Sequence, residues 1–178
     1  MGDKLIEHVD LCCRGNSGAF EYIVAEYQQL VYTLAFRLLC NEADAQDATQ
    51  DTFIKVWQNI SQYRRQYKFS TWIYKIAGNV CYDYMRAGCK DSDLDSADTG
   101  LLSTTDEEVR LHNKELVELI KKTTGDLSPK QKLVFTLREI EGLDVEEIVL
   151  ITGLSPAKIK SNLYLARKYI KSKIQNYE

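Results

Sequence analysis

The chain has 178 residues, of which 44% are hydrophobic and 28% charged, and its formal net charge is -3. Its 9 Gly and 2 Pro are too few for the many turns of an all-β fold, and no run approaches the roughly 20 apolar residues that span a bilayer. The N-terminal MGDKLIEHVD also lacks the hydrophobic region of a signal peptide. We therefore expect a helical, cytoplasmic protein with no membrane insertion.

Charge alternates by segment along the chain. The net charge is -5 over residues 1–63 (4 basic, 9 acidic), +5 over 64–90 (6 and 1), -6 over 91–126 (4 and 10) and +3 over 127–178 (9 and 6). Basic segments separated by acidic ones can contact phosphates locally while the acidic surfaces bind a different partner.

Cysteine and histidine give no metal or disulfide signature. The five cysteines are Cys12, Cys13, Cys40, Cys81 and Cys89. They are odd in number and form no C-x-x-C pair, so we interpret them as reduced thiols, mostly in the core, with a redox role for the vicinal Cys12 and Cys13 as the alternative. His8 and His112 are isolated and are interpreted as surface residues.

The first half of the chain has the spacing of a helical bundle. Apolar residues recur at helical intervals from Phe20 to Leu38. Asn41 with Asp44 predicts the N-cap of a second helix, and Ser70 predicts the N-cap of a third. Three helices, or four with the N-terminal stretch, then form one bundle that ends near Arg86.

The second helix carries a row of carboxylates. Asp44, Asp47 and Asp51 are spaced i, i+3 and i+7 and are flanked by Gln46 and Gln50. Such a row could bind metal or face solvent, but hard-cation sites usually draw oxygen ligands from a wrapped loop rather than from one helix edge. The pattern favours a docking edge for a basic partner.

The third helix carries a polar row of a different kind. Lys75, Asn79, Tyr82 and Arg86 fall within roughly 60° of one another at 100° per residue. An aromatic ring, an amide and two cations in line are typical of a surface for single-stranded nucleic acid, although an ordinary solvated helix face is the alternative. The preceding YRRQYKF adds Tyr63, Arg64, Arg65, Tyr67 and Lys68.

Helical spacing stops after the third helix. KDSDLDSADTGLLSTTDEE is acidic and nearly free of large apolar residues, which predicts a flexible linker over 91–113. Helical spacing returns with Leu111, Leu116, Leu119 and Ile120. The predicted architecture is all-α, with two small helical domains, 1–90 and 114–178, joined by this acidic linker.

The last third of the chain shows the most specific local pattern. Ser128 and Pro129 predict the start of a helix that runs to Gly142. Asp144 and Glu147 then form a capping box for the short helix VEEIVLIT.

The turn that follows completes a helix-turn-helix signature. Gly153 ends the short helix, and Ser155 with Pro156 starts the last helix at once. An apolar stripe on that helix should pack inward: Ile159, Leu163, Ala166 and Ile170. The opposite arc should face outward: Lys158, Lys160, Ser161, Tyr164, Lys168 and Lys171. This arc suits a helix in a DNA major groove, with a solvated basic face as the alternative.

Three segments together resemble the extracytoplasmic-function (ECF) sigma factors of bacterial RNA polymerase, within the sigma-70 superfamily. DAQDATQDTFIKVW is similar to the family's polymerase-binding segment, and FSTWIYKIAGNVCYDYMR is similar to its promoter-melting and downstream-element helix. LSPKQKLVFTLREIEGLDVEEIVLITGLSPAKIKSNLYLARKYI is similar to its C-terminal domain. The resemblance implies an alternative sigma factor that binds core RNA polymerase, directs promoter-specific transcription initiation and uses no cofactor or metal.

The resemblance also assigns site residues. It implies that the polymerase clamp contacts or lies beside Asp47, Gln50, Asp51 and Phe53. Downstream-element DNA, partly as a melted strand with an unstacked base, would contact Arg64, Arg65, Lys68, Lys75, Asn79, Tyr82 and Arg86. Duplex upstream-element DNA would contact Ser155, Lys158, Lys160, Ser161, Tyr164, Arg167, Lys168 and Lys171. An anti-sigma factor is a further implied partner.

Some positions depart from the family pattern. Asn162 and Leu165 stand where family members often carry arginine, and Ala87, Gly88 and Cys89 replace a basic run. Fewer cations weaken phosphate anchoring, so we expect the free protein to bind DNA poorly and to depend on polymerase for affinity.

Two other readings stay open from the sequence. One is a sigma mimic that sequesters an anti-sigma protein, although such mimics usually carry a receiver domain and the basic last helix argues against it. The other is a stand-alone helix-turn-helix regulator, which leaves both polar rows of the first half unexplained. An enzyme is disfavoured, since no nucleophile and base pair, metal cluster or phosphate loop is visible.

Overall fold

The computed structural model describes residues 2–88 and 121–175. The predicted linker over 91–113, the helical spacing that follows it up to Ile120, and His112 lie outside the described residues. Within them every regular element is helical, which confirms the predicted all-α class. No helix in the described part of the chain is long and apolar enough to cross a membrane.

The N-terminal lobe is a bundle of four helices. They are α1 (Gly2–Cys13), α2 (Ser17–Leu39), α3 (Glu42–Asn59) and α4 (Phe69–Gly88), with a 3-10 turn at Ile60–Gln62 after α3. The predicted three helices are confirmed, and the N-terminal stretch adds the fourth.

The junction between α2 and α3 is tight because both helix ends are capped. Cys40 adopts a left-handed conformation (φ 53°), and its backbone N–H donates to the carbonyl of Phe36 at 2.8 Å, which ends α2. Asn41 then accepts a hydrogen bond from the backbone N–H of Asp44 at 3.1 Å, as predicted. Two caps in succession turn α3 back against α2.

The prediction of Ser70 as the cap of α4 is wrong. The carbonyl of Lys68 accepts the first intrahelical hydrogen bond, from Trp72 N–H at 3.2 Å, so α4 begins at Phe69 and Ser70 lies inside the first turn. Phe69 is only 3% exposed, because its ring packs against Tyr63 and Trp72. Burial of this ring fixes the start of the helix.

The core of the N-terminal lobe is filled by side chains spaced along α2, α3 and α4. Its fully buried members include Ile23, Val31, Leu34, Leu38, Ala45, Ala48, Val56, Ile73 and Ala77. Among the described cysteines, Cys12, Cys40 and Cys81 are buried free thiols and Cys13 is exposed. Burial raises the pKa of Cys81 to about 12 and also raises that of Cys12, so both stay protonated at neutral pH, which argues against the redox alternative.

The C-terminal lobe is a three-helix unit. Its helices are α5 (Pro129–Phe135), α6 (Val145–Thr152) and α7 (Pro156–Gln175), and a π-helical turn (Thr136–Ile140) extends α5. Both predicted capping arrangements are confirmed: Ser128 and Gln131 bond reciprocally before α5, and Asp144 and Glu147 do so before α6. Gly153 ends α6 at φ 68°, as expected.

The helix that was expected to run unbroken to Gly142 instead widens. The backbone N–H of Glu141 bonds to the carbonyl of Thr136 at 2.9 Å, five residues back, which defines the π turn. Gly142 then takes φ +71°, so the predicted stop is confirmed. The turn brings Glu141 to the other lobe: its carboxylate accepts hydrogen bonds from Arg37 at 2.5 Å and from the Tyr74 hydroxyl at 2.8 Å.

Candidate nucleic-acid interface

The carboxylates of α3 line one open edge of the N-terminal lobe. Asp44 and Asp47 are exposed, as is Gln50 beside them, and Asp51 is half-buried. We call Asp44, Asp47 and Asp51 the acidic edge. Within residues 2–88 and 121–175, no group of three or more His, Cys, Asp or Glu residues is placed to hold a metal ion.

Phe53 was expected at or beside the polymerase contact, and the structure places it in the core. It is 8% exposed and packs edge-on against Phe20, with ring centroids 6.3 Å apart. Ile54, which is 54% exposed, is the apolar side chain that the surface presents next to it. The helical spacing missed Ile54 because it had no assigned place on the apolar face.

Asp51 is held by a residue that sequence reasoning assigned only to the core face of α4. The hydroxyl of Tyr84 donates a hydrogen bond to Asp51 Oδ2 at 2.9 Å. Burial, then this hydrogen bond and the negative charge of Asp51, raise the pKa of Tyr84 to about 12. Tyr84 therefore remains a donor at physiological pH.

The predicted polar row on α4 is present as an exposed edge. Lys75, Asn79 and Arg86 are exposed and Tyr82 is half-buried. The guanidinium of Arg86 lies over the ring of Tyr82, 5.9 Å from its centroid. We call these four residues the α4 row. Their arrangement offers two cations, an amide and one ring face along a single line.

The loop before α4 is braced by aromatic residues. The rings of Tyr63 and Phe69 are perpendicular with centroids 4.9 Å apart, and the Tyr63 hydroxyl donates to the backbone carbonyl of Tyr67 at 2.7 Å. Tyr63 thus pins both ends of the segment that carries Arg64 and Arg65. The bracing role of Tyr63 was not foreseen, since its partner at 67 is a backbone atom.

Two of the three cations in this loop are already paired. Arg64 is exposed, whereas Arg65 forms an ion pair with Asp10 of α1. Lys68 Nζ lies 3.0 Å from Glu147 Oε1, on the C-terminal lobe. The hydrogen bond from Lys68 to Glu147 is the main cause that raises the pKa of this lysine.

The last helix, α7, presents its polar arc outward as predicted. Ile159, Leu163 and Ala166 are buried against the rest of the lobe. The exposed arc consists of Lys158, Lys160, Ser161, Tyr164, Lys168 and Lys171. We call this arc the recognition face. Tyr164 is 65% exposed, so a large aromatic side chain stands free at its centre.

Arg167 differs from the other cations assigned to upstream DNA. Its guanidinium lies 2.6 Å from Glu139 Oε1, so the pair neutralises this charge within the lobe. Ser155 is exposed, and its hydroxyl accepts from the backbone N–H of Lys158 at 3.4 Å. Ser155 therefore shapes the start of α7.

Comparison with known families matches both lobes. The family model described as Sigma-70 region 2 matches residues 23–88, and that described as Sigma-70, region 4 matches residues 118–170. The chain is 30% identical to the ECF RNA polymerase sigma-E factor of Haemophilus influenzae, over 96% of this chain and 94% of the relative. It is 29% identical to the protein of the same name from Escherichia coli K12, over 96% and 93%.

Solved structures share the fold. CnrH, solved in complex with the cytosolic domain of CnrY, aligns with a TM-score of 0.71 at 21% identity, over 99% of this chain and 100% of that one. The sigma factor RpoE of Bartonella quintana, solved with the anti-sigma factor NepR, aligns with a TM-score of 0.65 at 21% identity, over 88% and 96%.

Both family models, their order along the chain and the full-length relatives agree with the two polar surfaces described above. The chain belongs to the sigma-70 family, in its ECF group: it is an alternative sigma factor, which binds core RNA polymerase and directs promoter-specific transcription initiation.

Proposed function

We propose that the sigma factor divides its two tasks among separate helix edges, with the acidic edge of α3 as the docking site for core polymerase. The observation that carries this proposal is the exposure of Asp47 and Gln50 on one face, with Asp51 fixed beside them by Tyr84. Carboxylates on a rigid helix steer and orient a basic partner surface. Ile54 would add an apolar contact at the same face.

The α4 row is the proposed reader of the downstream promoter element. Asn79 can exchange hydrogen bonds with a base edge, while Lys75 and Arg86 hold the backbone. Arg64 extends this surface into the preceding loop, and Lys68 joins it when released from Glu147.

The recognition face of α7 is the proposed reader of the upstream element as duplex. Lys158, Lys160, Lys168 and Lys171 are exposed and can contact phosphates. Tyr164 and Ser161 lie among them and can reach base edges. Arg167 contributes only after it leaves Glu139, so its share in affinity is smaller than that of the lysines.

Control of this factor is proposed to involve a protein partner. CnrH and the Bartonella RpoE were both solved with a bound partner protein, the latter with the anti-sigma factor NepR. We extend this to the present chain as binding of an anti-sigma factor. We further propose that the protein acts in the cytoplasm, catalyses no reaction itself, and divides into domains 1–90 and 114–178 with the acidic segment 91–113 between them.

The test is reconstitution with core RNA polymerase. The purified chain should form a stable complex with core and start RNA at discrete sites on genomic fragments, which core alone should not do. In a gel-shift comparison, promoter fragments should shift with the holoenzyme and only weakly with the free chain. Failure to bind core would reject the proposal, and tight binding of a dimer to DNA without core would favour a stand-alone regulator.

A further inference from the structure

The helix that carries the α4 row has a second occupied face. Gly78 is buried, and a Cβ added there would lie 3.5 Å from Leu133 Cδ1 and 3.7 Å from Ile151 Cγ2, both on the C-terminal lobe. The absence of a side chain at Gly78 lets the two lobes approach closely at this point. Residues on α4 thus separate into a nucleic-acid edge and a lobe-contact face, roughly 100° apart between Asn79 and Gly78.

Carboxylates of the C-terminal lobe flank this apolar contact. Glu141, whose side chain is 12% exposed, accepts from Arg37 and Tyr74. Glu147, 17% exposed, lies 3.0 Å from Lys68 Nζ and 3.4 Å from the Thr71 hydroxyl. Both carboxylates therefore lie on cations or hydroxyls of the other lobe.

We infer that the free sigma factor rests in a closed form in which α6 and the π turn of its own C-terminal lobe occupy this face of α4. In that form Glu147 withholds Lys68 from nucleic acid, so phosphates and Glu147 compete for one ammonium group. This rests on the proposed role of Lys68 in downstream DNA binding. It gives a structural reason for the weak DNA binding expected of the free chain.

A steric wedge tests the closed form without altering any charge. Gly78→Leu places a branched side chain where Leu133 and Ile151 now lie and should separate the lobes. Gly78→Ala is the matched control, because its Cβ makes only ordinary van der Waals contacts at 3.5 and 3.7 Å. Small-angle scattering of the full chain should show a larger radius of gyration for Gly78→Leu than for Gly78→Ala or wild type.

A zero-length crosslink reports the same contact chemically. Carbodiimide joins an amine and a carboxylate that already touch, so wild type and Gly78→Ala should yield a Lys68–Glu147 crosslinked peptide, and Gly78→Leu should lose it. If Gly78→Leu fails to fold, the double variant Glu141→Gln, Glu147→Gln replaces it, since glutamine at 147 preserves the capping box. Glu146→Gln, on the exposed side of the same helix turn, is its control.

The masking step is measured with single-stranded oligothymidylate. Opening the lobes should raise its affinity by up to about fivefold, the range expected for release of one exposed ion pair, and Lys68→Ala in the open variant should cancel the gain. Wild type without the crosslink, or equal radii for Gly78→Leu and Gly78→Ala, would overturn the closed form. Because neither measurement needs DNA or polymerase, open lobes with unchanged affinity would instead overturn the masking of Lys68.

Discussion

The hydroxyl of Tyr84 donates to Oδ2 of Asp51 at 2.9 Å, and this hydrogen bond joins the acidic edge of α3 to α4. Tyr84 lies on the side of α4 opposite Lys75 and Asn79 at 100° per residue. The surface proposed to bind polymerase and the row proposed to bind promoter DNA are therefore held at a fixed spacing by one rigid pair of helices. A single contact thus couples the two functions.

Replacing Tyr84 with Phe should destabilise the N-terminal lobe. The variant keeps the ring but removes a hydrogen bond to a carboxylate, which is worth roughly 1.5–3 kcal/mol. Urea unfolding should show this loss of unfolding free energy, whereas Tyr164→Phe, at a 65% exposed position, should show almost none. Equal stability of the two variants would mean that the bond contributes nothing.

The contribution of Tyr84 should also depend on alkaline pH. Its pKa is raised in the folded state from 10.0 to about 12, so the stabilisation is fully present below pH 10 and is lost as the pH rises toward 12. The difference in unfolding free energy between wild type and Tyr84→Phe should therefore be constant from neutral pH to pH 10 and shrink above it. A difference that grows above pH 10 would contradict the assigned hydrogen bond.

Charge reversal on the acidic edge should abolish polymerase binding. Asp47→Lys and Asp51→Lys each place a cation against a basic partner, a penalty on the order of 100-fold in affinity for several kcal/mol of repulsion. Asp47 is the cleaner site because it is exposed, whereas Asp51 also loses Tyr84. Glu26→Lys, the same change at an exposed position of α2, should bind core normally. Normal binding by Asp47→Lys would remove this edge from the interface.

Local sequence signals were enough to predict the C-terminal helices. The boundaries of α6 follow from Asp144, Glu147 and Gly153, all within ten residues, because capping is a short-range interaction. The start of α4 was missed because burial of Phe69, a tertiary contact, decides it.

Pairings between distant residues could not be predicted from periodicity. Lys68 and Glu147 are 79 positions apart, and Arg65 and Asp10 are 55 apart. Helical spacing identifies which side chains face outward but does not indicate which surface another lobe covers. The sequence therefore predicted the exposed rows on α4 and α7 and missed the contact between the lobes.

Two substitutions in the α4 row should have different effects. Asn79→Ala should reduce discrimination at one downstream position by about 1–3 kcal/mol, the value of a base-edge contact. Lys75→Ala should weaken binding about equally for all sequences and lower its salt dependence. Holoenzyme binding to promoter fragments with single-base changes separates the two effects. A uniform loss for Asn79→Ala would assign this amide to the backbone instead.

Lys160→Ala should lower holoenzyme affinity for the upstream element while leaving core binding intact. Lys160 is exposed on the recognition face, far from the acidic edge in sequence, and its ammonium is available to a phosphate. Loss of one phosphate contact should reduce the slope of log affinity against log salt by about 1. Lys130→Ala, an exposed lysine in the first turn of α5, is the matched control and should keep the wild-type slope. The slope decides the matter: a loss of affinity with unchanged salt dependence would mean that Lys160 acts on the fold of α7 and contacts no phosphate.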